Sequence, residues 1–73
     1  MFMIKATDGK CWNMELIQAI YSRATPGDVR ALLLGGDRIT LGAYESQKRA
    51  ESVIGDIMKA MQDGFTLFDM PER

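Results

Sequence analysis

The stretch RITLGAYESQKRAESVIGDIMKAMQDG, from Arg38 to Gly64, decides the fold, because strand, corner and helix signals follow one another in it without a gap. Ala50, Val53, Ile54, Ile57, Met58 and Met61 fall at i, i+3, i+4, i+7, i+8 and i+11, the stripe of one buried helical face. Ser46 stands where a side-chain oxygen accepts an orphan backbone N–H, and Gly64 stands where a left-handed C-terminal cap is wanted. The spacing predicts a helix over about 47–63. Lys48, Glu51, Asp56, Lys59 and Asp63 make its solvated face. The apolar stripe reads as core, and no function is expected along it.

Toward the N-terminus, Phe2, Ile4 and Ala6 alternate with Met3, Lys5 and Thr7, the period of a half-buried strand. Asp8-Gly9 then suits a two-residue hairpin turn. A second strand, Lys10 to Met14, puts Trp12 and Met14 on one face and half-buries Cys11 on the other. Met14 to Ala24 carries two opposed signals. Its Met, Glu, Leu, Gln and Arg are helix formers that Asn13 could cap, whereas Ile17, Ala19 and Tyr21 alternate as in a strand and lead into the turn Thr25-Pro26-Gly27-Asp28. The strand reading is preferred, with the helix as its alternative.

Val29 to Leu34, the break at Gly35-Gly36-Asp37, and Arg38 to Ala43 read as a second hairpin. Gly42 marks a bulge or a close approach of the helix, and Tyr44 sits at the corner where the chain leaves the sheet. The fold expected is α+β, a curled antiparallel sheet of about five strands within residues 1–43 packed against one C-terminal helix. One domain spans 1–73, ending in an apolar tail over 65–73.

The later ITLGAYES, Ile39 to Ser46, feeding a helix, together with the opening strand and Asp8-Gly9-Lys10, resembles a loose set of short, uncharacterised bacterial proteins. The resemblance implies a curled antiparallel sheet closed by one C-terminal helix, a reduced pleckstrin-homology-like pattern, and supports strand over Ile17 to Arg23. It implies no activity. Gln47-Lys48-Arg49 replaces the acidic first helical turn of that pattern, and the apolar tail after Gly64 is not required by it.

Composition narrows function by exclusion. A chain of 73 residues buries only about 60% of the surface its unfolded form exposes, so its core is marginal and self-association is an ordinary remedy. Hydrophobic content of 47% with 26% charged residues is a globular balance. A net charge of −1 exerts no bulk pull on nucleic acid or anionic lipid, so either partner would need a local patch. Cys11 is the one cysteine, which excludes an intrachain disulfide, suits a reducing compartment and makes a cytoplasmic location the default. No apolar run approaches the roughly 18 residues of a membrane span, and the start lacks the features of a secretory signal. Histidine is absent, removing the commonest general base and metal ligand. No catalytic residue, metal site or cofactor is expected.

Two sets of residues are candidate contacts. Phe65, Leu67, Phe68 and Met70 either pack on their own sheet, cross to a second copy or another protein, or stay free. Lys48 and Arg49 put positive charge in the first helical turn, where the helix dipole opposes it, and with Arg38 they form a candidate anion contact. The function expected is a non-enzymatic binding or assembly module that self-associates, with a dimer favoured. The alternative is a small nucleic-acid-binding regulator using Lys48, Arg49, Arg38 and an exposed aromatic, although nucleic acid is the less expected partner.

Overall fold

Among the described residues, the chain forms two small sheets and one long helix. The computed structural model describes residues 1–23 and 27–73. Strand β1 (Met3–Lys5) pairs antiparallel with β2 (Cys11–Asn13), setting Ile4 opposite Trp12. The turn between them holds three residues and not the expected two. The Ala6 N–H donates to the Lys10 carbonyl at 2.8 Å and the Gly9 N–H to the Ala6 carbonyl at 2.9 Å, a looped turn that matches the strand twist.

The opposed signals after Asn13 are satisfied one after the other. The Asn13 side chain accepts the Glu15 N–H at 2.9 Å and caps a single 3-10 turn over Met14–Leu16, after which β3 (Ile17–Ser22) begins. β3 pairs with β4 (Asp28–Leu33), and β4 pairs with β5 (Arg38–Ala43), both antiparallel. Of the turn read at residues 25–28, Thr25 and Pro26 lie outside the described residues.

Helix α1 (Gln47–Gln62) follows, and β6 (Leu67–Asp69) closes the chain by pairing parallel to β1, with Phe68 beside Ile4. The α+β class therefore holds, but the single antiparallel sheet of about five strands does not form. The strands divide into two sheets of three, ordered β2-β1-β6 and β3-β4-β5. Two local causes separate them. The 3-10 turn stops β2 from continuing into a hairpin with β3, and the tail supplies a third strand to β1. The sheets stay stitched by the Thr7 N–H, which donates to the Leu41 carbonyl at 3.0 Å, whereas the Met14 N–H, donating to the Phe2 carbonyl at 2.9 Å, extends the β1–β2 ladder by one pair.

Alternation decides which faces meet. Ile4 and Ala6 from the first sheet, Val29, Ala31 and Leu41 from the second, and Ala50, Val53 and Ile57 from α1 are all buried in one core. α1 starts as expected, with the Ser46 Oγ accepting the Arg49 N–H at 3.2 Å. It ends with the Phe65 N–H on the Ala60 carbonyl and the Gly64 N–H on that of Met61, a paired cap that needs the φ of +82° Gly64 adopts. Gly42 lies beside a register shift in the β4–β5 ladder, and what approaches it is the Tyr44 ring and not the helix, since a Cβ there would lie 2.7 Å from the Tyr44 hydroxyl.

Gly27 is the most constrained turn position. Its φ is +130°, and a Cβ would meet the Ser46 backbone at 2.6 Å. Gly55 is the opposite case, exposed mid-helix with nothing near a added Cβ. In urea unfolding, Gly27→Ala is expected to cost 1–3 kcal/mol, roughly, from strain and clash. Gly55→Ala is expected to add about 0.8 kcal/mol through helix propensity.

Candidate functional site

The apolar stripe of α1 is wider than the surface that covers it. Ala50, Val53 and Ile57 are buried and Ile54 is half-buried, but Met58 is 65% exposed and Met61 43%. The helix rests on the second sheet along its 50–53–57 line, so the flank at 54, 58 and 61 faces sideways toward β3. Between that flank and Met14, Ile17 and Ile20 runs a cleft of about 250 Å³. Its walls are apolar apart from Gln18, and its methionines are flexible side chains suited to partners of varied shape. β3 is also an outer strand of its sheet, so one rim of the cleft is a strand edge. The sequence reading placed Met58 and Met61 in the core. What it lacked was the tilt of the helix on the sheet, which periodicity does not encode.

The tail divides between core and surface. β6 puts Phe68 against the core and buries Met70, whose N–H donates to the Lys5 carbonyl at 2.9 Å. Phe65 and Leu67 point the other way and stay 63% and 49% exposed. Three residues separate Met61 from Phe65, so the exposed methionines at the end of α1 are followed closely along the chain by the exposed Phe65 and then by Leu67 on β6. Of the four tail residues singled out, two are structural anchors and two are surface.

Arg38, Lys48 and Arg49 are not gathered in one place. Arg49 is held in a corner cluster. Its Nη2 and Nε donate to the backbone oxygen of Arg73 at 2.8 and 3.2 Å, and its guanidinium lies 5.7 Å from the centre of the Tyr44 ring. The positive charge in the first helical turn thus ties down the chain end. Lys48 is exposed on the helix surface. Arg38 stands at the other end of β5 and lines a different cleft of about 630 Å³ with Tyr21, Arg23, Arg30, Gly36 and Asp37. Arg23 and Arg30 were missed as a pair with Arg38, because only the β3-β4-β5 register brings residues so far apart in sequence together.

Tyr44 is buried and donates its hydroxyl proton to the Pro71 carbonyl at 2.8 Å. Burial raises its pKa above the ordinary value, and the neighbouring Arg49 partly opposes that rise. Cys11, expected to be half-buried, is exposed on β2. Among the described residues, no three His, Cys, Asp or Glu side chains gather as a metal site, and no helix is long and apolar enough to cross a membrane.

Comparison with family models, with curated proteins and with solved structures returned no match.

The Tyr44 contacts set a pH dependence. Tyr44→Phe removes the bond to Pro71 and is expected to cost about 1 kcal/mol near neutral pH. The folded-state pKa is raised, so the unfolded chain loses this proton first and the stabilisation is present below the unfolded pKa of about 10. It is lost as pH rises through the folded value. Unfolding curves of the two proteins should therefore converge as pH climbs above about 10.

Proposed function

We propose that the protein is a non-enzymatic binding module that self-associates, two copies meeting through the apolar surface that runs from the cleft between α1 and β3 to the exposed face of β6. One observation carries this reading. Met58, Met61, Phe65 and Leu67 are large apolar side chains left open next to one another along the chain, on a domain too small to bury them itself. Pairing about a two-fold axis near the end of α1 brings Phe65 of one copy against the methionines of the other, and each contact is then made twice. The small net charge of −1 offers little repulsion to such pairing.

The surface is also separable from the fold. Met58 and Met61 sit outside the buried core, so charging them does not empty it. Deleting the tail would not be a clean test, because it also removes Met70 and the strand beside β1. Sedimentation at tens of micromolar is expected to show a dimer for the parent chain and a monomer for the Met58→Glu/Met61→Glu variant, with unchanged circular dichroism. A parent chain that sediments as a monomer throughout that range would rule the proposal out.

A further inference from the structure

Away from that apolar surface, the outer face of the β3-β4-β5 sheet concentrates positive charge on a chain that is acidic overall. Tyr21 and Arg30 are direct partners across β3 and β4, and Thr40 continues the row on β5. Arg38 pairs with Leu32, two residues along β4 from Arg30, and Arg23 follows Tyr21 by two, so alternation puts all of these side chains on one face. Ala31 and Ile39, between them in sequence, belong to the core on the other side. The cleft that Tyr21, Arg23, Arg30 and Arg38 line holds three arginines against one acid, Asp37, a formal +2 on a chain of net −1.

A second observation sets this face apart from an ordinary solvated one. The Arg30 Nε is buried and has no hydrogen-bond partner among the described residues. An unpaired buried donor costs on the order of 1–3 kcal/mol, more when charged, and guanidinium N–H groups are matched in geometry by oxyanions held in a fork. Arg30 is also only partly exposed, so its position is fixed by the strands beside it, whereas Arg23 and Arg38 are exposed and free to adjust. A strand rise of about 3.3 Å per residue separates Arg38 from Arg30 by about 7 Å along the sheet, a spacing that serves more than one oxyanion. Tyr21 contributes an aromatic ring in the same row.

From this arrangement we infer that the outer face of the β3-β4-β5 sheet binds single-stranded nucleic acid. Arg23, Arg30 and Arg38 take successive backbone phosphates, and a base stacks on Tyr21. Stacking on an aromatic platform flanked by arginines is tolerant of sequence, and an open cleft admits a strand passing across it. The site excludes Lys48 and Arg49, which lie on the helix and at the corner.

The test is fluorescence anisotropy with a labelled ten-nucleotide mixed-sequence single strand, with adenosine monophosphate and a poly-glutamate peptide as competitors. Binding is expected in 50 mM salt and should weaken about tenfold at 200 mM, the dependence for two to three phosphates released from counterions. Arg23→Gln and Arg38→Gln, both at exposed positions, should each lower affinity severalfold, and Tyr21→Leu should do the same with less change in the salt slope. Lys48→Gln should have no effect. Absence of binding in 50 mM salt overturns the inference, as does binding that survives the Arg23→Gln/Arg38→Gln pair. Competition by the peptide as strong as by unlabelled strand would mark a general basic face, and equal competition by the mononucleotide would mark a single-nucleotide site. Either result also overturns it.

Discussion

Tyr44 is the side chain on which the three parts of the structure converge. Its N–H donates to the Gly27 carbonyl at 3.0 Å, its ring covers Gly42 on β5, and its hydroxyl holds the Pro71 carbonyl at 2.8 Å. Arg49 closes the cluster over the ring and binds the backbone of Arg73. One residue thus links the start of β4, the corner between β5 and α1, and the segment that follows β6. Such a cluster matters in a domain of this size, because its fully buried core rests on few large side chains, among them Ile4, Leu41, Ile57, Val29 and Val53. Gly27 and Gly42 are small where they are because the Tyr44 corner leaves room for nothing larger.

Fixing the tail has a consequence for the surface. Once Pro71 is held and Met70 is buried, β6 must lie beside β1, and strand alternation then turns Phe68 inward and Leu67 outward. The helix cap at Gly64 leads straight into that strand, so Phe65 emerges just past the methionines of α1. The apolar surface proposed for self-association is therefore a product of how the tail is anchored. The arginine face lies on the far side of the second sheet and depends on neither the tail nor the helix, only on the register of β3, β4 and β5.

Local signals were the legible part of the sequence. The cap at Ser46, the cap at Gly64 and the period of 50, 53 and 57 located α1 to within a residue, because helix formation is decided by neighbours along the chain. The strand over Ile17–Ser22 was legible through its alternation, and Asn13 proved to cap a short 3-10 turn before it. The division into two sheets was not legible, since the pairing of β6 with β1 joins segments some sixty residues apart and parallel to each other. Burial along α1 was overread for a related reason. Periodicity tells which residues share a face, but how far the opposite layer extends is set by the sheet, and this sheet stops short of Met58 and Met61. Arg49 broke the charge preference of a helix start because the chain end it binds is distant in sequence.

Hydrogen exchange read residue by residue tests the anchoring of the tail most directly. The Met70 N–H bonded to Lys5 and the Met3 N–H bonded to Thr66 belong to the same parallel ladder. The Met70 amide is expected to exchange as slowly as those of β1, with protection lowered about fivefold in both strands together when Tyr44 is replaced by Phe, the factor that about 1 kcal/mol gives. A Met70 amide exchanging at the rate of a free peptide while β1 stays protected would contradict the anchored tail, and with it the surface built from its two ends.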